Sequence, residues 1–380
     1  MQTTTATTIA AIDPASWDQL VAANDPFGAH AFLSALESSG SAAPATGWIP
    51  QHVLVHAAGK LVAALPHYVK SHSYGEYIFD WAWADAAQRN GLAYYPKCVS
   101  AVPFTPTPGN RCLIAPELNA RDQTAAFDLL VAAAADVAKR AGAHSTHVLF
   151  CTAAEQRALA DRGYLPRLTW QYHFANRGWP DFEAFLTDCR APIRKQIRRE
   201  RKLAAESGVK VHVLRGAELG DTEIAALWSF YRDTTSRKWG HAYLLRGFFE
   251  ALRGPLAQTA IAILAKDGDQ WVAGALAFHK GDTLYGRYWG AVREVPWLHF
   301  ELCYYRLIEL GLSLGCARIE AGAQGEHKIK RGFLPVPIYS AHKLHHPGLH
   351  TAVAEALAHE REQLPAVLAE LASHGPFHRG

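Results

Sequence analysis

The sequence predicts a two-domain α/β protein, on three observations. The 380 residues suffice for two domains of about 150 residues each. Hydrophobic residues at 49% against 19% charged provide ample core. Segments with the helical period alternate with short β-branched runs along the chain. After residue 208 the order reads strand, helix, helix, three antiparallel strands, helix, strand, helix, strand. The first half follows a rougher version of the same order.

The elements follow in turn. Residues 1–12 are Thr/Ala-rich, show no period and are expected to be disordered. The first domain is placed at 13–190, with an aromatic loop at 70–112. The second is placed at 191–346, and a C-terminal helix and tail at 347–380. Asp13 and Pro14 predict a helix start, as N-cap and first helical residue. A helix over His30–Glu37 precedes a loop at Gly40–Gly47 and a hairpin of His52–His56 and Lys60–Tyr68. The stretch Lys70–Cys112 fits neither period; dense in aromatics, Gly and Pro, it reads as a functional loop. Helices at 122–141 and Thr152–Arg162 flank a strand at His147–Cys151, and Leu168–Phe174 is a further strand. Helices at Asp181–Cys189 and Ala191–Ser207 lead to a strand at Val209–Leu214 and a helix at Thr222–Lys238. Strands at Thr259–Ala265, Trp271–His279 and Thr283–Trp289 are joined by tight turns. Leu298–Leu314 is an apolar helix closed by Gly315. A strand at Ala317–Ala321, a helical turn at Glu326–Arg331, a strand at Ile338–Leu344 and a helix at His350–Ala372 complete the chain.

Composition excludes several classes. Lys and Arg total 38 against 35 acids, so any nucleic-acid contact must come from a local patch. The N-terminus lacks a basic and an apolar signal region, and no apolar run reaches the ~18 residues of a membrane span. A cytoplasmic setting is therefore expected. The six Cys include no Cys-x-x-Cys and are expected to be reduced core residues. His342, His345, His346 and His350 match no zinc spacing, so no metal is expected. Dinucleotide, Walker A and Gly-x-Ser-x-Gly motifs are missing, which disfavours hydride transfer, P-loop and α/β-hydrolase chemistry.

Four segments can carry chemistry. In the first, Glu320–Phe333, a strand ends in two glycines and polar residues crowd a turn into a short helix. Glu326, His327 or Glu320 can act as general base there. Lys328, Lys330 and Arg331 can bind a carboxylate or phosphate or steady an oxyanion, beside Gln324. The second holds His72, Tyr74, Glu76, Asp80, Trp81, Trp83 and Asp85, acids among aromatics that bind a substrate or pack as a loop. The third is a basic helix carrying Arg194, Lys195, Arg198, Arg199, Arg201 and Lys202, either a phosphate-backbone contact or a solvated face. The fourth is the strand 284–290, on which alternation places Tyr285, Arg287 and Trp289 on one face. Arg287 and Trp289 there can line a pocket, or the aromatics can simply pack in the core.

These residues carry a family resemblance. Lys-Ser-His-Ser-Tyr-Gly-Glu-Tyr at 70–77, Phe-Asp-Trp-Ala-Trp-Ala-Asp at 79–85 and Tyr-Tyr-Pro-Lys at 94–97 resemble the FemAB-like family of N-acyltransferases, within the GNAT superfamily. So do Ser-Ala-Val-Pro-Phe-Thr-Pro at 100–106, Tyr-Gly-Arg-Tyr-Trp-Gly at 285–290 and Glu-Ala-Gly-Ala-Gln-Gly-Glu-His-Lys at 320–328. The resemblance spans roughly residues 14–345. It implies two tandem GNAT-like domains with mixed, mostly antiparallel sheets flanked by helices. It also implies transfer of an aminoacyl or acyl group to a small-molecule or peptide amine by direct attack, with no tightly bound cofactor. The donor it implies is aminoacyl-tRNA, as in the Fem enzymes that act on peptidoglycan precursors, or acyl-CoA, as in GNAT enzymes. Ile329-Lys330-Arg331-Gly332-Phe333 resembles the aromatic-Lys-x-x-Phe pattern of Fem enzymes, with Ile in place of the aromatic; this carries over Lys330 as a binder of substrate charge. Gly290–Leu298 departs from the pyrophosphate turn of acetyl-CoA enzymes, which favours aminoacyl-tRNA. Two other readings remain open: a GNAT-shaped binding protein without chemistry, and an enzyme acting at the aromatic loop with Asp80 or Asp85 as base.

Overall fold

The computed structural model describes residues 1–239, 242–322 and 325–378. The chain divides into two units, Met1–Thr169 with Pro337–Pro365 and Trp170–Val336 with Ala366–Gly380. The expected boundary at 190 thus moves to 169, and the C-terminal segment is divided between the units. The reason lies in packing. Phe174, Trp179 and Phe185 belong to the core of the second unit, whereas residues 339–344 form a ladder with the strand at 145–151 of the first.

The first unit contains β1 (Gln2–Ala6), α1 (Pro14–Asp18), α2 (His30–Ser38), β2 (Trp48–Pro50), β3 (His52–Ala57), β4 (Lys60–Leu65) and β5 (Tyr68–Lys70). It continues through α3 (Trp81–Arg89), β6 (Lys97–Ser100), β7 (Leu113–Ile114), α4 (Ala120–Arg140), β8 (Ser145–Cys151) and α5 (Ala153–Ala160) into β9 (Leu165–Ala175). Local chemistry sets the helix starts. The Asp13 carboxylate accepts from Ser16 N with Pro14 first in the helix, and Thr152 with Glu155 closes a capping box on α5. One sheet has the order β1-β3-β4-β7. In the other, β6 and β8 run parallel, with α4 as the crossover.

Two expectations fail here. Residues 2–6 are a strand, antiparallel to β3 with Gln2 opposite His56. Their threonines are β-branched, and β3 offers an edge for them to pair with. The stretch 70–112 contains α3 and β6. Its helix escapes a periodicity search because Trp83 and Ala87 are its only buried residues.

The second unit begins within β9 and contains α6 (Phe182–Asp188), α7 (Ala191–Glu206), β10 (Lys210–Arg215), α8 (Asp221–Trp239), α9 (Arg246–Glu250), β11 (Ala260–Asp267), β12 (Gln270–Lys280) and β13 (Thr283–Ala291). Then come α10 (Leu298–Phe300), a π-helical turn at Glu301–Tyr305, α11 (Arg306–Ser313), β14 (Arg318–Glu320), a 3₁₀ turn at Glu326–Arg331 and the start of β15 (Leu334–Leu344). β10 to β13 form an antiparallel meander, and β14 joins β13 in parallel. α10, the π turn and α11 make the crossover, repeating the strand–helix–parallel strand plan of β6, α4 and β8. The core packs Phe174 against Phe185 and Phe333, with ring centroids 5.2 and 5.7 Å apart. α12 (Pro347–Ser373) spans the division between the units. Among the described residues, no helix is long and apolar enough to cross a membrane.

Candidate functional site

The second unit opens a slot where its two parallel strands part. β13 and β14 pair only over Thr283–Tyr285 and Arg318–Glu320. Beyond that point lies a cavity of about 90 Å³, lined by Gly286, Arg287, His299, Cys303, Tyr304 and Ala321 among others. A larger cavity of about 330 Å³ is lined by Arg293, Glu294, Trp297 and Phe300, and Trp289 and His299 line both. Slot and outer cavity are therefore neighbours, with Trp289 and His299 between them.

A bulge shapes these cavities. The register of β12 with β13 shifts between Leu276 and Ala277, opposite Tyr288 and Gly286, so Arg287 is the extra residue. The bulge inverts the side-chain alternation. Before it, Gly286 lies against Leu307 of α11; after it, Trp289 stacks near His299, with centroids 5.1 Å apart. Tyr288 meanwhile meets Tyr231 of α8 at 5.1 Å. The expected common face of Tyr285, Arg287 and Trp289 is thus broken: Tyr285 is buried, while Arg287 and Trp289 line the slot. His299, Cys303 and Tyr304 escaped the sequence reading, because they sit in a segment that reads as one apolar helix. A π turn in that helix leaves no sequence signature.

The 320–333 segment separates into two kinds of residue. Arg331 is a structural pivot. It donates to Glu200 Oε2 at 2.6 Å, to Tyr305 Oη at 2.9 Å and to His327 O at 2.7 Å, and its guanidinium lies 3.6 Å from the centre of the Phe300 ring. Tyr305 Oη also donates to Glu200. Lys328 is buried and donates to Gly322 O at 2.8 Å; burial lowers its pKa to about 7. Glu320 is buried, 3.2 Å from Arg318 Nε and 3.9 Å from His173, and lines neither cavity. Arg331 is thus held by Glu200 of α7, Glu320 by Arg318 of β14 and Lys328 by a backbone carbonyl, and none of the three lines either cavity. Glu326, His327 and Lys330 remain exposed. His327 Nε2 is 2.8 Å from Tyr304 Oη, which ties the turn to the slot. Burial, Arg331 and Lys328 all lower the pKa of His327. Gly332 closes the turn at φ +91°, and a side chain there would come within 3.0 Å of Phe185. Gln324 lies outside the described residues.

The aromatic segment of the first unit holds a buried charge cluster. Lys97 Nζ donates to Ser73 Oγ at 2.7 Å, Glu76 Oε2 at 2.8 Å and Asp80 Oδ2 at 2.5 Å. Tyr94 Oη donates to the same Asp80 oxygen at 2.6 Å. Lys70 Nζ is 3.9 Å from Glu76, donates to Tyr74 O at 2.9 Å and lies 3.6 Å from the Trp48 ring centre. Burial raises Glu76 to about 7 and lowers Lys70 to about 7. Burial also opposes the charge of Asp80, but Lys97 outweighs it and holds Asp80 down to about 2. Glu76 and Asp80 are thus clamped, which removes Asp80 as a base. Trp83 is core, 4.9 Å from the His342 ring. His72 is half-buried, while Tyr74, Trp81 and Asp85 are exposed. Lys70 and Lys97 were not singled out from the sequence; two lysines near aromatics gave no sign of full burial.

The basic helix α7 is largely neutralised within its own unit. Arg201 pairs with Glu301 at 3.1 Å and Glu309 at 3.2 Å, Arg198 with Glu183 at 2.7 Å, and Lys202 with Glu206 at 3.6 Å. Arg194 donates to Thr187 O at 3.1 Å and Cys189 O at 3.3 Å, at the C-terminal end of α6. Lys195 and Arg199 stand exposed. Of the six cations expected to meet a phosphate backbone or to form a solvated face, Arg198, Arg201 and Lys202 have carboxylate partners. Among the described residues, no group of three His, Cys, Asp or Glu is placed to hold a metal ion.

Comparison with known proteins accords with this architecture. The solved structure of FemX is similar at 12% identity and TM-score 0.54, covering 93% of this chain and 100% of that one. The C-terminal domain of a putative lysylphosphatidylglycerol synthetase from Agrobacterium fabrum is similar at 10% identity and TM-score 0.54, covering 94% and 98%. L-PGS from Bacillus licheniformis is similar at 10% identity and TM-score 0.52, covering 91% and 97%. At such identities the likeness concerns the fold alone, a mixed, antiparallel-rich sheet with flanking helices. No curated protein matches the sequence. Residues 8–379, nearly the whole chain, match the FemAB-like family of peptidoglycan biosynthesis/recognition, and the chain belongs to that family.

Proposed function

We propose that the protein is an N-acyltransferase that moves a small acyl or aminoacyl group to an amine, with the acyl group seated where β13 and β14 part. The slot is the observation that carries this reading. It is narrow, adjoins the outer cavity, and has Arg287 on its wall. The amine nitrogen attacks the acyl carbonyl carbon. Arg287 stabilises the oxyanion that forms. Tyr304 receives the amine proton and passes it to His327 Nε2, 2.8 Å from its hydroxyl. Burial keeps the Tyr304 phenol protonated and His327 neutral, as such a relay needs. The bond from acyl carbon to the donor oxygen or sulfur then breaks, and the leaving atom takes up a proton. Lys330, exposed on the adjoining turn, binds negative charge on the donor or acceptor.

An aminoacyl ester of tRNA is the donor in this reading, because Gly290–Leu298 departs from the pyrophosphate turn of acetyl-CoA enzymes. The relatives that are FemX and lysylphosphatidylglycerol synthetases share the fold that houses this slot. The test supplies purified protein with labelled aminoacyl-tRNAs or labelled acetyl-CoA and a mixed pool of amines, read by mass spectrometry. Transfer from aminoacyl-tRNA is the expected result. Transfer from acetyl-CoA alone would overturn the donor assignment, and no transfer from either would overturn the enzyme reading.

A further inference from the structure

Three irregularities of the backbone converge on the two rings that stand between the slot and the outer cavity. The β12–β13 bulge at Arg287 turns Trp289 towards the helix, where regular alternation would have put Tyr288. Trp297 starts that helix at φ +67°, a left-handed conformation costly for a bulky side chain, and provides no side-chain cap. The π turn at Glu301–Tyr305 follows. His299 lies between these last two, and its ring centroid is 5.1 Å from that of Trp289, close enough for contact. Costs of this kind gather where a fold has a side chain to aim. Behind the two rings the slot is small and apolar. Ala275, Ala277, Gly286 and Ala321 keep its walls low, and Leu302 and Leu307 add hydrocarbon. A side chain at Gly286 would come within 2.9 Å of Leu307. Among the described residues that line the slot, Arg287 is the one fixed charge and no carboxylate is present.

We infer that Trp289 and His299 are the residues that limit the size of the acyl group, and that the slot behind them admits a short, unbranched and neutral chain. The assignment rests on the transferase reading of the same slot. An apolar cavity of about 150 Å³ admits a benzene ring. At about 90 Å³ the slot therefore holds roughly four non-hydrogen atoms. The carbonyl takes up two of these, since Arg287 stands on the wall to meet its oxygen, and about two remain for the carbons beyond it. A longer or branched chain has to displace Trp289 or His299. Neither ring is loosely placed, the indole being set by the bulge and the imidazole by the start of the helix. One methylene too many in such a pocket costs about 10–200-fold in rate. A cationic chain is opposed further, because Arg287 repels it and no acid compensates. Removing the indole would join the slot to the outer cavity of about 330 Å³ and lift the size limit, while leaving Arg287 in place.

The test has two arms, both on the full-length protein. In the first, transfer from alanyl-, leucyl- and lysyl-tRNA to the mixed amine pool is read by mass spectrometry for the parent, Trp289→Ala and His299→Ala. The parent should transfer alanyl about 100-fold or more faster than leucyl. Trp289→Ala should bring that ratio within about tenfold and still reject lysyl. His299→Ala should shift the ratio in the same direction, and it decides the matter if Trp289→Ala does not fold. The second arm needs no transfer: saturation-transfer NMR reads the binding of propionamide and of 4-methylpentanamide, amides of a short and of a branched acyl group. The parent should bind only the first, and Trp289→Ala both. Equal alanyl and leucyl rates in the parent, or a ratio unchanged in both variants, would overturn the size limit. Lysyl transfer matching leucyl transfer in Trp289→Ala would overturn the neutral slot. No transfer by the parent, with the amides binding as expected, would support the size limit and overturn the aminoacyl-transfer reading alone; no transfer and no amide binding would overturn both.

Discussion

Arg331 offers the sharpest test of how the 320–333 segment works. Its partner Glu200 is buried to the same degree, their side chains being 4% and 3% exposed. Arg331→Met keeps the length of the side chain and its packing on Phe300 but removes the charge. Glu200 then retains Tyr305 Oη and the amide of Gln196, which donates to it at 2.8 Å, yet has lost its bonded countercharge. Breaking one side of such a buried pair costs about 3–5 kcal/mol. For a domain of 150–250 residues that corresponds to a fall in melting temperature of roughly 6–20 °C. The assay is thermal and urea unfolding of Arg331→Met, Glu200→Gln and the double variant. The double variant should recover part of the loss, with a coupling of about 1–3 kcal/mol, because neither charge is left stranded. If Arg331→Met melts within about 2 °C of the parent while transfer collapses, Arg331 binds substrate and the pivot argument is wrong.

Lys330→Ala should leave the melting curve unchanged and lower turnover about tenfold or more; unchanged turnover would remove Lys330 from the site. For His327, desolvation with Arg331 and Lys328 nearby lowers the pKa, so the ring stays neutral through the ordinary value of about 6.5 and protonates only at a pH below it. The transfer rate should therefore hold above that pH and drop below it, and His327→Gln should lose the acid limb; a variant with the parental profile would exclude the relay. For Asp80, the folded carboxyl sits at about 2 against an ordinary 3.8. Its stabilisation is present above about pH 4 and is lost as pH falls towards 2. Asp80→Asn should thus be less stable than the parent at pH 7, with a gap that narrows between pH 4 and 2; a gap constant across that range would show that Asp80 does not carry the charge assigned to it.

The legible parts of this protein are local. Asp13-Pro14 and the turns of the β11–β13 meander are read correctly because each depends on a few adjacent residues. Boundaries at His30, Ala191 and Gly315 follow from the same kind of signal. The strand at 2–6 was missed because only the edge of β3 makes it one. The site was legible as a segment rather than as roles. Polar crowding around Gly322 and Gly325 singles out the turn, but Lys328, Arg331 and Glu320 look as available in the sequence as Lys330 does. Their partners, at Gly322, Glu200 and Arg318, become visible only once the chain is folded.

By itself, then, the sequence determined the α/β class, the order of nearly all the elements, the family motifs and the candidate segments. These depend on period, capping and turn chemistry, which act over a few residues. The tertiary structure alone decided which charges are spent. It set Lys97 against Glu76 and Asp80 across some twenty residues, and Arg331 against Glu200 across more than a hundred. It also placed the bulge at Arg287 opposite the π turn that carries Cys303 and Tyr304, so that the slot opens where β13 leaves β14. The physical reason is that burial is a property of the packed chain. A lysine or an arginine becomes a ligand, a clamp or a solvated charge according to what covers it, and no local pattern encodes that cover.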